Sequence, residues 1–243
     1  MNKPRQLRVG IAQLAARSGD PRGQLARLES MLWAHRVDLV LLPELALTGY
    51  VSETMDFDRT AHGETLSGPT ATACAGLARR HRVALAAPLV ERDGQQHYNS
   101  LLLFNAAGER IGHWRKRHPW YPERWASAGN LDNTVVTLHG VRLCAAICFD
   151  IHFLASDAAA ALADTDLLLF PSAWVEHPDS RPQMLAALAR EHRTAIANAN
   201  WGLGTPAIYG QGRSLLIDAG GHPLAATPAQ SADAWCDGLI TTN

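Results

Sequence analysis

The stretch Val37-Asp38-Leu39-Val40-Leu41-Leu42-Pro43 decides the fold more than any other part of the sequence. It is a short apolar run that ends at a proline, and such a run predicts a strand buried on both faces. Before it come a strand-like segment at residues 7–14 and apolar residues at helical spacing over residues 24–34. The resulting order of strand, helix and strand is typical of an α/β protein.

The same alternation continues along the chain. Gly68-Pro69 predicts the start of a helix that runs to about residue 82, and residues 83–90 and 99–105 predict the two strands of a hairpin. Later strands are expected at residues 141–148, 165–170, 213–217 and 235–240, and helical segments at residues 155–163 and from residue 182. The last two strands flank a Gly220-Gly221 turn. We predict one domain over residues 1–243, an α/β four-layer α-β-β-α sandwich with two mixed sheets.

Composition and charge argue against several classes of partner. The 22 basic and 23 acidic residues leave a formal charge of -1, which provides no electrostatic footprint for a nucleic acid or an anionic membrane surface. No apolar run reaches the roughly 18 residues of a membrane span, and residues 1–5 lead into a strand without the apolar run of a signal peptide. We therefore predict a cytoplasmic protein with a small substrate. The four cysteines lack the spacing of a zinc site or a disulfide framework, so no metal is predicted.

Glu44, Lys116 and Cys148 each lie where an apolar strand meets a polar or charged residue. Such strand ends are where α/β folds present reactive groups. Taken singly, each residue also has an ordinary explanation. Cys148 would suit a small core position, and Glu44 a helix cap or a surface turn. Lys116 would belong to a solvated basic face with its two arginine neighbours.

Together these residues resemble the nitrilase, or carbon-nitrogen hydrolase, superfamily along nearly the whole chain. In that family a glutamate, a lysine and a cysteine occur in this order, each within a local motif. The motifs here are Leu42-Pro43-Glu44-Leu45 with Thr48-Gly49-Tyr50, Arg115-Lys116-Arg117-His118, and Ile147-Cys148-Phe149-Asp150. Further matching segments are Tyr98-Asn99-Ser100, Pro171-Ser172-Ala173-Trp174 and Gly212-Arg213-Ser214. Glu123 falls where the family often has a second carboxylate.

The resemblance implies a cysteine-dependent hydrolase that needs no cofactor. A thiol with its free pKa of about 8.5 is mostly protonated near neutral pH, so the implied nucleophile Cys148 needs a base, and Glu44 is the implied base. The Lys116 ammonium and the backbone N–H of Phe149 would stabilise the oxyanion. Glu123 would hold the substrate amide or orient Lys116 and the hydrolytic water. Its alternative is a surface carboxylate paired with a neighbouring arginine.

The substrate pocket is expected to have an aromatic wall. Tyr50 and Trp174 are the residues expected to contact the substrate, and Trp120 and Tyr121 are further candidates, with ordinary packing as their alternative. Three histidines are also candidates for the pocket: His118, His152 and His177.

In this family an aromatic residue and an aspartate after the cysteine, here Phe149-Asp150, favour amide cleavage over nitrile cleavage. The leading hypothesis is hydrolysis of a small linear amide to a carboxylic acid and ammonia through a thioester, in the manner of an ω-amidase or an aliphatic amidase. The alternatives are an N-carbamoyl amide hydrolase, a nitrilase and a non-catalytic relative that binds a small molecule or a partner.

The sequence departs from the family in two places. The stretch Ile151-His152-Phe153-Leu154-Ala155 lacks the arginine and glutamate that commonly follow the nucleophile motif. If these two normally form an ion pair that braces the nucleophile loop, His152 alters that brace or the pocket mouth. The chain also ends soon after its last strand, without the tail that many relatives use at subunit contacts. A homodimer or a higher homo-oligomer is nevertheless implied by the resemblance.

Overall fold

The computed structural model describes residues 4–242, so the first three residues of the N-terminal stretch discussed above lie outside the described part. The helices are α1 (Pro21–Ala34), α2 (Pro69–His81), α3 (Leu154–Asp157), α4 (Ala159–Ala163) and α5 (Arg181–His192). The strands of the first half are β1 (Arg5–Gln13), β2 (Leu39–Leu41), β3 (Ala84–Asp93), β4 (Gln96–Phe104), β5 (Arg110–Arg115) and β6 (Val136–Leu138). Those of the second half are β7 (Val141–Ala145), β8 (Leu167–Ser172), β9 (Ala195–Asn200), β10 (Leu215–Ile217), β11 (Pro223–Ala226) and β12 (Ala234–Thr242).

The strands form two six-stranded mixed sheets. The first sheet has the order β12-β1-β2-β3-β4-β5, and the second has the order β11-β10-β9-β8-β7-β6. Parallel pairs lie at the centre of each sheet, β1-β2-β3 in the first and β7-β8-β9 in the second, and the outer pairs are antiparallel. The prediction of two mixed sheets is confirmed.

Strand β2 shows why the structure has four layers. Its side chains alternate between two cores, because successive residues of a strand point to opposite faces of the sheet. Leu39 and Leu41 pack in the core between the two sheets, and Val40 packs in a second core against α1 and α2. Residues of α5 such as Leu185 join the core from the outer side of the second sheet. The layers are therefore helix, sheet, sheet and helix, as predicted.

Two local predictions are confirmed closely. Helix α2 begins at Pro69, where the missing N–H of proline costs nothing because the first turn has no acceptor for it. Strands β3 and β4 pair antiparallel from Leu85–Phe104 to Asp93–Gln96, which leaves a short turn at Gly94. This hairpin brings the middle of β4 into the first sheet beside β5.

Two local predictions are wrong. The strand expected to reach Cys148 ends at Ala145, and a 3₁₀ segment (Cys148–Phe153) begins at the cysteine. Across the Gly220-Gly221 turn, β10 pairs with β11, while β12 pairs with β1 in the other sheet. Strand β11 is short and largely exposed, so it lacks the apolar alternation that identifies a strand in a sequence.

The helices are short relative to a lipid bilayer. Within residues 4–242, none combines the length and the apolar character that crossing a membrane requires.

Candidate active site

Strand ends from both sheets meet at one end of the sandwich. Glu44 follows β2, Lys116 follows β5, Cys148 lies in the turn after β7, and Ala173 follows β8. Glu44 is 1% exposed, Lys116 0% and Cys148 8%, so the solvated-face explanation for the lysine does not hold. The three residues that the sequence singled out lie in one buried cluster.

Lys116 lies between two carboxylates. Its Nζ is 2.7 Å from Glu44 Oε1 and 2.5 Å from Glu123 Oε2. The other oxygen of Glu44 accepts a hydrogen bond of 3.0 Å from the backbone N–H of Ala173, and Glu123 Oε2 also accepts one of 2.7 Å from the backbone N–H of Trp120. Glu123 is therefore a buried partner of the lysine and not a surface carboxylate paired with an arginine.

Asn99 on β4 joins the same cluster. Its side-chain Nδ2 donates to Glu44 Oε1 at 2.8 Å and to Glu123 Oε1 at 2.7 Å, and its Oδ1 is buried without a partner among the described residues. Asn99 belongs to a segment that matches the family, but that match does not indicate that it lies in the site. The available signal was an asparagine close to the apolar run Leu101-Leu102-Leu103-Phe104 of the same strand, because a buried amide needs polar partners.

The cysteine lies on a strained turn. Its φ angle is +48°, a left-handed backbone conformation that a residue other than glycine adopts at a cost of about 1–3 kcal/mol. The Asp150 carboxylate holds this turn by accepting hydrogen bonds from the backbone N–H of Ile147 at 3.2 Å, of Arg117 at 3.1 Å and of His118 at 2.8 Å. One carboxylate thus ties the cysteine turn to the segment that carries the lysine.

Burial and the excess of carboxylates set the protonation of the cluster. Burial raises the pKa of Glu44 above its ordinary value, the positive charge of Lys116 opposes this, and Glu123 adds to it. Burial lowers the pKa of Lys116, but the two carboxylates outweigh it, so that pKa is raised and the amine stays protonated. Burial, followed by the charge of Glu44, raises the pKa of Cys148 well above its ordinary value. The resting site therefore holds a neutral thiol beside an ammonium.

A cavity of about 240 Å³ opens onto the cysteine. Its lining residues are Tyr50, Trp120, Cys148, Phe149, His152, Ala173, Trp174, Val175, Glu176 and Ser180. The volume lies below the roughly 300–1,000 Å³ of pockets that hold drug-sized ligands, so the site suits a small molecule. Tyr50, Phe149 and Trp174 are where the sequence placed them, and the wall is largely aromatic.

Other pocket candidates lie elsewhere. The described residues that line the cavity do not include His118, His177 or Tyr121. His118 stacks on Phe153 and hydrogen-bonds Asp157 of α3 at 2.5 Å. This contact connects the lysine segment to the loop after the cysteine, where the family's usual arginine and glutamate are missing. Glu176 also lines the cavity, although no motif in the sequence points to it.

The side chains of the site offer no set of metal ligands. In the part of the chain that the structure describes, no group of three or more His, Cys, Asp or Glu residues could hold a metal ion. Lys116 lies between the two carboxylates of the cluster.

By its fold the protein is a nitrilase-like α-β-β-α sandwich. The carbon-nitrogen hydrolase family profile matches residues 8–241, and the chain belongs to this family. It is thus an enzyme that hydrolyses carbon-nitrogen bonds.

Relatives of known name support this assignment. The chain is 33% identical over 202 residues to a Pseudomonas protegens protein named hydrolase in pqqF 5′ region, a match that covers 80% of this chain and 70% of the relative. It is 26% identical over 222 residues to an (R)-stereoselective amidase of a Pseudomonas species, and this match covers 90% of this chain and 80% of the relative. In fold it is similar to a double mutant of the amidase from Nesterenkonia sp. AN1 in complex with acrylamide, with a TM-score of 0.84 and 22% sequence identity. The superposition covers 100% of this chain and 93% of the amidase chain.

Proposed function

We propose that this enzyme hydrolyses a small linear amide to a carboxylic acid and ammonia through a thioester on Cys148. The observation that carries the proposal is the buried Lys116 ammonium between Glu44 and Glu123, beside a cysteine that lines a small cavity. A module that only binds a ligand has no need for a nucleophile, a base and an ammonium in one cluster.

In the first step the Cys148 sulfur attacks the amide carbon, and its proton passes to Glu44. The resting thiol is neutral because burial, and after it the charge of Glu44, raises the pKa of Cys148, so the proton must leave during the attack. Glu44 suits this role because burial raises its pKa above the ordinary value of a glutamate, which favours its action as a base and, once protonated, as an acid. The protonated Glu44 then delivers its proton to the nitrogen, and ammonia leaves.

Lys116 stabilises the charge that forms on the substrate oxygen. An ammonium has three N–H donors, and two of them face Glu44 and Glu123, which leaves one for the oxyanion. The backbone N–H of Phe149, next in sequence to the nucleophile, is the second donor that we propose. Glu123 and Asn99 keep the lysine and the base in position.

Water completes the cycle. Glu44 takes a proton from a water molecule, whose oxygen attacks the thioester carbon, and the carbon–sulfur bond breaks. The acid leaves, and the proton held by Glu44 returns to the Cys148 sulfur. Protons and electrons balance without any added cofactor.

The small cavity favours a compact acyl chain. The names of the relatives agree with an amide substrate, since one is an (R)-stereoselective amidase and the Nesterenkonia amidase was solved with acrylamide. Cytoplasmic location and a homodimer stay predictions.

A panel of amides, N-carbamoyl compounds and nitriles tests the proposal through ammonia release by the purified chain. We expect turnover of at least one small linear amide, none by Cys148→Ala, and an acyl adduct on Cys148 by mass spectrometry. Turnover of only carbamoyl compounds or only nitriles would replace the proposed substrate. Absence of any turnover and of any adduct would favour the non-catalytic alternative.

A further inference from the structure

One wall of the active-site cavity carries a carboxylate that the proposed reaction does not use. Glu176 follows β8 and lines the cavity together with Cys148 and Trp174. It accepts hydrogen bonds from Trp174 Nε1 at 3.4 Å, from the Ser180 backbone N–H at 3.3 Å and from the Ser180 hydroxyl. All of these donors are neutral, so they orient the carboxylate without cancelling its charge.

Glu176 is ionised at neutral pH. The hydrogen bonds from Ser180, with a smaller contribution from Trp174, keep its pKa below the ordinary value of a glutamate. Its side chain is exposed at the cavity mouth, so a bound substrate can reach it without displacing core residues. The cavity therefore has a permanent negative charge at its rim.

The rest of the wall suits a positive group. Trp120, Phe149, Trp174 and Tyr50 present aromatic side chains to the cavity, and aromatic faces attract ammonium and guanidinium groups. A carboxylate combined with aromatic rings recognises a cation through both its charge and its apolar surface.

The cavity offers little to a negative group. No lysine or arginine occurs among its lining residues within residues 4–242, and His152 is the lining residue able to carry a positive charge. Deeper in the site, the Lys116 ammonium is already matched against Glu44 and Glu123. An amide with a carboxylate at its far end would thus enter a site with an excess of negative charge.

We propose that the preferred substrates are linear amides whose far end carries a positive charge, such as ω-amino amides, and that Glu176 determines this preference. The proposal rests on the amidase function proposed above. The charge preference narrows the range of substrates, because it disfavours amides with a carboxylate at the far end and therefore argues against an ω-amidase.

Three linear amides of similar size test the preference: γ-aminobutyramide is cationic, valeramide is neutral and succinamate is anionic. We expect kcat/KM to decrease in this order, with the cationic amide ahead of the neutral one by about five- to tenfold, the range of an accessible ion pair with an aromatic contribution. The advantage should shrink as salt is added, because salt screens exposed charges.

The variant Glu176→Gln removes the charge and keeps the shape of the side chain. The ratio of kcat/KM for γ-aminobutyramide to that for valeramide should fall toward one. The matched control is Glu191→Gln on α5, which neutralises an exposed carboxylate away from the cavity and should leave the ratio as in the wild type.

The outcomes separate the two proposals. Valeramide or succinamate hydrolysed as well as γ-aminobutyramide, or an unchanged ratio in Glu176→Gln, would overturn the role of Glu176 while leaving the amidase function intact. If none of the three is hydrolysed, calorimetry with Cys148→Ala decides. Tighter binding of γ-aminobutyramide than of valeramide, lost with Glu176→Gln, would support the charge preference even though amide hydrolysis had failed, and equal or absent binding would overturn it.

Discussion

Two buried ion-pair clusters lie side by side in this enzyme and differ in what their carboxylates can do. Arg115 and Lys116 are consecutive residues at the end of β5, and each pairs with a buried glutamate. Arg115 meets Glu91 of β3, whereas Lys116 meets Glu44 and Glu123 at the cavity. Both clusters bury charge, and only the second adjoins a cysteine.

The difference lies in how deeply each carboxylate is buried and in how much positive charge its donors supply. Glu91 accepts two hydrogen bonds from Arg115, one from Nε at 3.1 Å and one from Nη2. It accepts two more, from the Ser100 hydroxyl at 2.6 Å and from His113 Nε2 at 2.8 Å. Burial acts to raise the pKa of Glu91, but these partners outweigh it and hold that pKa at about 2. Burial raises the pKa of Glu44, which also has to share the single ammonium of Lys116 with Glu123. The Glu91 carboxylate is therefore a structural anion, whereas the deeply buried Glu44 carboxylate, with a second carboxylate beside it, can take up and release a proton.

The same substitution at the two glutamates gives the largest expected contrast. Glu44→Gln should lower kcat/KM by about 10²–10⁴, the usual contribution of a general base, with the fold retained. Glu91→Gln is the matched control and should keep kcat/KM within about threefold, because it touches no reacting atom. Ammonia release measures both. Comparable losses in the two variants would contradict the distinction between the clusters.

Removing the ammonium at the cavity should have the next largest effect. Lys116→Met should lower kcat by about 10²–10³, as expected for the loss of an oxyanion donor. It should also move the acid limb of the pH profile upward, because Glu44 and Glu123 then repel each other without a cation between them. Arg117→Met is the control, since that neighbouring side chain is partly exposed and lies outside the cavity. An unshifted acid limb in Lys116→Met would count against the charge balance described here.

Asn99 should have a smaller effect with a specific signature. Its amide donates a hydrogen bond to Glu44 and stabilises the ionised form of that carboxylate, so Asn99→Ala should raise the pKa of Glu44 still further. Since hydrolysis needs Glu44 ionised, activity at the acid side should disappear at a higher pH than in the wild type. A loss of kcat/KM of roughly tenfold is expected for hydrogen bonds to a charged group. A reduced rate with an unchanged pH profile would indicate a purely structural role.

The smallest expected effect is on stability and concerns Glu91. Its folded pKa of about 2 lies below the ordinary 4.5, so its stabilising contribution is present above pH 4.5 and is lost as the pH falls from 4.5 to 2. Glu91→Gln should therefore cost about 1–3 kcal/mol at pH 7, and the difference from the wild type should shrink over that acid window. Urea unfolding at several pH values measures it. A difference that stays constant down to pH 2 would contradict the pKa of Glu91.

Local patterns in the sequence were sufficient for much of the architecture. Strand β2, helix α2 and the β3–β4 hairpin follow from an apolar run, a proline at a helix start and a polar turn, all of which act between near neighbours. The motifs around Glu44, Lys116 and Cys148 likewise lie within a few residues of each chemically important side chain.

Tertiary structure alone decided which polar groups meet. Lys116 is 72 positions from Glu44, and the N–H that binds Glu44 comes from a residue 129 positions away. Nothing local shows that Glu123 is buried, that the Asn99 amide bridges two carboxylates, or that His152 and Glu176 line the cavity while His118 does not. The physical reason is that burial and charge pairing depend on segments brought together by the packing of two sheets, whereas a short stretch of sequence encodes only its own backbone preference and which of its faces is apolar.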